Sequence, residues 1–134
     1  MILLDTVVLS EPRKAQPNPA VMAYLRAQTP SAVFVSAISL GEIESGIERL
    51  RSSNQQFAAD LSQWLVTLEQ QFASAVLPVD STVAKIWGRL CVHTGNRRTD
   101  NLIAATALRH NLTVVTRNTK HFEPTGVRVF NPFV

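Results

Sequence analysis

Short, uninterrupted apolar runs alternate along this chain with longer stretches in which apolar residues recur every three or four positions. The short runs, such as residues 2–4 and 32–36, are typical of buried parallel strands. The longer stretches, such as residues 57–72, predict amphipathic helices. Because strands alternate with helices, the pattern predicts an α/β fold: a three-layer α/β/α sandwich with a mainly parallel central sheet.

The other strands and helices are predicted from the same two patterns, short apolar runs and a spacing of three or four residues. Further strands are predicted at residues 76–79, 112–116 and 127–130. Further helices are predicted to begin at Pro19, with Asn18 as the N-cap, at Ser39, near Val83, and at Thr99. Ala104, Ala105 and Ala107 would let the last of these helices approach the sheet closely.

Length and composition limit the domain organisation. The chain has 134 residues, of which 46% are hydrophobic and 17% charged. A chain of this length can bury one substantial core but not two, and its low charge content excludes a disordered polymer. We therefore expect a single domain spanning residues 1–134.

Charge and cysteine content limit the possible partners and the cellular location. The net charge is +3 and most of the cations are arginines, which allows a polyanionic partner without demonstrating one. Cys91 is the only cysteine, so a reducing, cytoplasmic location is the simplest interpretation. We expect no secretory leader and no membrane span, because no apolar run is long enough.

Polar residues near the carboxyl ends of the predicted strands form a candidate site. Asp5 ends the first strand, Glu42 is expected in the first turn after the second, Asp100 opens a helix, and Asn118 follows the strand ending at Thr116. Ligand sites in open parallel sheets form at this edge. Three carboxylates held close together repel one another unless a cation lies between them. The residues therefore predict a site for Mg²⁺ or Mn²⁺, which could activate a bound water.

Local structure offers a simpler explanation for three of these residues. Residues 39–42 match the Ser-x-x-Glu capping box, so Glu42 could merely cap its helix. Asp100 follows a Thr N-cap and would interact favourably with the helix dipole. Asn118 could be a turn residue. Asp5 alone is expected to have no cap or turn to serve, so only the combination points to a site.

Five sequence blocks resemble a known family. They are residues 1–12 (MILLDTVVLSEP), 39–43 (SLGEI), 99–107 (TDNLIAATA), 115–122 (VTRNTKHF) and 130–133 (FNPF). In this order they resemble the PIN-domain ribonucleases of the VapC and FitB toxin type, from type II toxin–antitoxin systems. The resemblance spans nearly the whole chain.

The resemblance implies a PIN-like fold, a homodimer, Mg²⁺- or Mn²⁺-dependent endoribonuclease activity on RNA, and a small cognate antitoxin of the VapB or FitA type. The metal-binding acids of the family correspond to Asp5, Glu42 and Asp100 in this chain. Its fourth catalytic position, Asp in some members and Asn in others, corresponds to Asn118.

Basic and hydroxyl side chains next to these acids are candidates for substrate binding. Arg97, Arg98 and Arg117 could clamp an RNA backbone, although each could equally be a solvated surface cation. Thr6 could bind a carboxylate or a phosphate, or only satisfy local backbone groups.

Two positions depart from the family pattern. Val7 stands where the family usually has Asn, and His121 stands where it often has Asp. These departures keep an alternative open: a catalytically impaired PIN-fold module that binds RNA or a protein. A nucleotide-binding or phosphoryl-acceptor domain is disfavoured, because there is no Gly-rich phosphate loop and no second Asp beside Asp5.

Overall fold

All five strands run parallel in the computed structural model, which describes residues 1–134. They are β1 (Ile2–Leu4), β2 (Val33–Ser36), β3 (Val76–Leu77), β4 (Thr113–Val115) and β5 (Val129–Phe130). Their spatial order is β3-β2-β1-β4-β5, which puts the first strand at the centre of the sheet. Leu3 pairs with Phe34 on one side and Val114 on the other. The predicted parallel sheet is confirmed.

Seven helices connect and cover the strands. They are α1 (Thr6–Leu9), α2 (Pro19–Arg26), α3 (Ala37–Leu50), α4 (Gln55–Gln71), α5 (Ser81–Thr94), α6 (Thr99–His110) and α7 (Thr119–Phe122). Short 3₁₀ helices lie at Glu11–Arg13, Pro30–Ala32 and Glu123–Thr125. The four-residue helices α1 and α7 were not predicted, because they are too short to show a helical period. No helix is long and apolar enough to span a membrane.

Each face of the sheet carries its own apolar core, as side-chain alternation along a strand requires. Ile2 and Leu4 point to the face covered by α1 to α4. Leu3 points to the other face, which α5 to α7 cover. Ala104, Ala105 and Ala107 of α6 are fully buried there. The predicted α/β/α sandwich is therefore confirmed.

A tight turn between α5 and α6 brings the start of α6 to the carboxyl edge of the sheet. Gly95 ends α5 with φ of 74°, a conformation that favours glycine. The buried Asn101 side chain then donates to the Asn96 carbonyl and to the Thr94 hydroxyl, both at 3.0 Å. These bonds fix the turn that carries Arg97, Arg98 and the first residues of α6.

Candidate active site

Asp5 lies directly after the central strand and is only 5% exposed. Its Oδ1 accepts a hydrogen bond from the Thr6 amide at 2.8 Å, and its Oδ2 accepts one from the Thr116 hydroxyl at 2.7 Å. It is also the N-cap residue of α1. The expectation that Asp5 has no cap to serve was therefore wrong, because the four-residue α1 that it caps was not visible in the sequence pattern.

Burial raises the pKa of Asp5 from its ordinary value of 3.8 to about 6, against the hydrogen bonds from Thr116 and Thr6, which lower it. The negative charges of Asp100 and Glu42 raise this pKa further. The three acids thus act on one another across one edge of the sheet. A cation placed among them would relieve both the repulsion and the poor solvation of Asp5.

Glu42 is held by two hydroxyl groups from distant parts of the chain. Its Oε1 accepts from the Thr6 hydroxyl at 2.7 Å and its Oε2 from the Thr99 hydroxyl at 3.0 Å. It lies in the second turn of α3 rather than the first, because the helix begins at Ala37. The capping-box interpretation is wrong, since Ser36 is the N-cap residue and Ser39 is buried within the helix. Thr6 and Thr99 therefore act as side-chain partners of Glu42.

Asp100 lies in the first turn of α6, as expected, and contacts His121. The distance from His121 Nδ1 to Asp100 Oδ2 is 3.1 Å. Thr99 is not the N-cap residue, because that position belongs to Arg98, whose side chain makes no capping bond. The departure at His121 thus places an imidazole against one of the predicted catalytic acids.

Asn118 lies at the same edge but is exposed. Its backbone amide donates to the Thr116 hydroxyl at 2.9 Å, and its side chain makes no capping bond to α7. Thr116 therefore ties Asp5 to the segment that carries Asn118. Sequence reasoning did not assign Thr116 a role, although its place at the end of a buried strand was a usable signal.

The three predicted arginines are exposed and two of them stack on aromatic rings. The guanidinium carbon of Arg97 is 4.9 Å from the centre of the Trp87 ring. That of Arg117 is 3.8 Å from the centre of the Phe133 ring. Arg98 directly precedes α6. Stacking restricts the Arg97 and Arg117 side chains while leaving their hydrogen-bond donors available.

The oxygen atoms and negative charges of the three acids suit a hard divalent cation. Asp5, Glu42 and Asp100 supply carboxylate oxygens, which Mg²⁺ and Mn²⁺ prefer. No group of three or more His, Cys, Asp or Glu side chains is arranged closely enough to hold a metal ion as the side chains stand. The hydroxyl contacts of Glu42 and the imidazole contact of Asp100 satisfy these acids instead.

Comparison with known proteins agrees with the motifs. The PIN domain family matches residues 2–126. Toxin FitB of Neisseria gonorrhoeae is 38% identical, and the alignment covers 99% of each chain. VapC ribonuclease Y4jK of Sinorhizobium fredii is 32% identical over 99% of this chain and 98% of its own length. The crystal structure of FitAcB from N. gonorrhoeae superposes with a TM-score of 0.88, at 39% identity and 99% coverage of both chains.

Proposed function

Because this chain belongs to the PIN-domain family, we propose that it is a metal-dependent endoribonuclease and the toxin of a type II toxin–antitoxin module. The observation that carries this proposal is the buried Asp5, whose pKa is raised by burial and by the charges of Asp100 and Glu42. A carboxyl group whose surroundings disfavour its ionised form is typical of a functional site. The similarity of this chain to VapC ribonuclease Y4jK supports RNA as the substrate, and its similarity to Toxin FitB supports a toxin.

In this proposal Asp5, Glu42 and Asp100 hold Mg²⁺ or Mn²⁺. The bound ion would supply a Lewis acid for the phosphate and an acidified water. Thr116 keeps the Asp5 carboxylate oriented towards the site. Thr6 and Thr99 fix the direction of the Glu42 carboxylate, and a bound cation would draw the three acids closer together than they stand here.

The remaining proposed contacts are with substrate. Arg97 and Arg98 precede Asp100 in the chain and Arg117 follows Thr116, and in this proposal the three arginines bind RNA phosphates. Asn118, which is neutral and exposed, offers a hydrogen bond to the reacting phosphate. The positive arginines attract the RNA polyanion. The three carboxylates repel its phosphates unless a cation is bound among them.

The function is tested with purified protein and single-stranded RNA, with Mg²⁺ or Mn²⁺ and with a chelator. We expect cleavage that the chelator abolishes, and a loss of at least about a hundredfold in Asp100→Asn, because a charged metal ligand is removed. Glu69→Gln, on the exposed face of α4, is the matched control and should cleave normally. RNA binding without cleavage in either metal would instead support the impaired binding module suggested by Val7 and His121.

Removing the Thr6 hydroxyl should weaken catalysis without unfolding the protein. Thr6→Val leaves one oxygen of Glu42 without its 2.7 Å donor, and a hydrogen bond to a charged group is worth about 1.5–3 kcal/mol. The expected fall in kcat is about tenfold to a hundredfold. Thr6→Ser retains the hydroxyl and should keep most of the activity; equal losses in both variants would contradict the assigned role.

The proposed antitoxin is small and basic where it meets the site. An Arg or Lys side chain would enter among Asp5, Glu42 and Asp100, because it pairs with their combined negative charge. A groove of about 640 Å³ between α1, α2 and α4, with Leu9 and Trp64 among its lining residues, could take an apolar segment of the same partner.

The same proposal includes a homodimer and a cytoplasmic location. Val92 on α5 is 81% exposed and Leu108 on α6 is 39% exposed, and these neighbouring helices would bury them between two copies. Size-exclusion chromatography with light scattering, on wild type and Val92→Glu, tests the dimer.

The proposed location is the cytoplasm, where this enzyme would meet RNA and where its single Cys91 would stay reduced.

A further inference from the structure

Phe130 is a large aromatic residue left partly exposed on the edge strand β5. Its ring stacks on Tyr24 of α2, with ring centres 4.9 Å apart and an angle of 25° between the planes. It nevertheless remains 45% exposed. The ring is therefore fixed in orientation by one aromatic neighbour and still open to a second planar partner.

The backbone places Phe130 beside the acidic centre. Its carbonyl accepts a hydrogen bond from the Thr116 amide at 2.9 Å, and the Thr116 hydroxyl binds Asp5. Two strand spacings of 4.7–4.9 Å separate β5 from β1, so the Phe130 backbone is on the order of 10 Å from the central strand that ends at Asp5. That distance suits a nucleotide next to the one whose phosphate reacts.

A cation stacked on a second aromatic ring follows Thr116 in the chain. Arg117 directly follows Thr116, and its guanidinium is 3.8 Å from the centre of the Phe133 ring. The Phe133 amide is itself held by the Asn131 side chain at 2.9 Å. Phosphate and base recognition are thus available side by side, from Arg117 and Phe130, along one edge of the molecule.

We propose that Phe130, supported by Tyr24, and Arg117, supported by Phe133, form a platform that stacks an unpaired base of the RNA beside the cleaved bond. This inference rests on the proposed ribonuclease function and specifies how single-stranded substrate is recognised. Stacking suits single-stranded RNA because its bases are accessible and every base has a π face. The platform would select unpaired regions over duplex RNA.

Binding is measured by fluorescence anisotropy with a short single-stranded oligoribonucleotide in chelator, so that cleavage does not contribute. Phe130→Ala should weaken binding about tenfold, because one base–aromatic contact is lost. Phe130→Trp should bind at least as tightly as wild type, while Phe130→Leu, which keeps apolar packing, should resemble Phe130→Ala. Phe57→Ala, which removes a ring of similar exposure on α4, should change nothing. Thermal unfolding of each variant excludes loss of fold.

Salt dependence separates the two halves of the platform. Arg117→Met should reduce the magnitude of the slope of log affinity against log salt by about 1, which corresponds to one lost phosphate contact. Phe130→Ala should leave this slope unchanged. With metal present, Phe130→Ala should raise KM far more than it lowers kcat. An abasic nucleotide opposite the ring should make wild type and Phe130→Ala bind alike.

Unchanged RNA affinity in Phe130→Ala would overturn the platform, even if metal-dependent cleavage is observed. The same holds if Phe130→Ala impairs only binding of a protein partner, since the ring would then belong to a protein interface. Absence of both binding and cleavage in wild type would overturn the proposed function itself. The two proposals therefore fail in distinguishable ways.

Discussion

Replacing Asp5 with Asn is expected to abolish RNA cleavage and, without metal, to make the protein more stable at neutral pH. Asp5 is 5% exposed and its pKa is raised to about 6, first by burial and then, in part, by Asp100 and Glu42. At neutral pH the folded protein therefore carries an unfavourable buried charge, which Asn removes. Cleavage should fall by at least about a hundredfold, because the central acid is lost.

The sign of the pH dependence follows from the raised pKa. In the unfolded chain Asp5 loses its proton near 3.8, whereas in the folded protein it loses it near 6. Between these values the folded state binds more protons, so its stability falls as pH rises, by at most about 3 kcal/mol. The stability gain of Asp5→Asn should be full above about pH 7, small near pH 4 and absent below about pH 3. The lost hydrogen-bond geometry at Thr116 will reduce it.

Urea unfolding in chelator, at about pH 4 and about pH 7.5, measures this difference. Glu69→Gln removes an exposed carboxylate and should show no such pH-dependent gain. Adding Mn²⁺ should stabilise wild type more than Asp5→Asn, because only wild type has the full ligand set. A variant that is less stable than wild type at both pH values would contradict the unfavourable burial of Asp5.

Replacing Phe122 with Ala should be among the most destabilising single changes in this protein. Its side chain is 0% exposed and packs in the core between the sheet and α6. Truncation of a fully buried Phe costs about 3–5 kcal/mol. Phe57→Ala, at a position that is 40% exposed, should cost less than about 1 kcal/mol, and urea unfolding compares the two.

Phe122 also determines where the last site residues lie. It ends α7, a helix of four residues that is too short to be stable alone. Asn118 precedes this helix and His121 lies within it, so their positions depend on burial of the Phe122 ring. In folded Phe122→Ala, NMR signals of His121 should shift and broaden. Unchanged His121 signals would mean that the Asp100 contact alone positions it.

The order of strands and helices was predictable because buried faces require apolar residues at regular spacings along the chain. The strand Ile2–Leu4 was predicted with the bounds that the structure has, and the helix predicted to begin at Thr99 does begin there. Strands predicted at 112–116 and 127–130 are shorter, at Thr113–Val115 and Val129–Phe130, because pairing with the neighbouring strand, not apolar character, ends a strand. The placement of Asp5 at the carboxyl edge followed from the same parallel pattern.

The capping interpretations failed for a physical reason. A Ser-x-x-Glu sequence and a Thr-Asp pair are local signals that many helices share. In the folded protein Ser39 is buried within its helix, while Glu42 takes hydroxyl partners from Thr6 and Thr99. These hydroxyls are available only after the strands have assembled, so no local rule could have selected them.

The sequence by itself determined the parallel α/β/α fold, its family and the edge of the sheet where the acids gather, because these depend on periodicity and on short motifs. Only the tertiary structure decided how each acid is held. The hydrogen bonds that hold Glu42 and Asp5 join residues 36, 57 and 111 positions apart. Burial of Asp5, its raised pKa and the contact between Asp100 and His121 likewise arise from packing of distant segments, since solvent exclusion and charge proximity exist only in the folded chain.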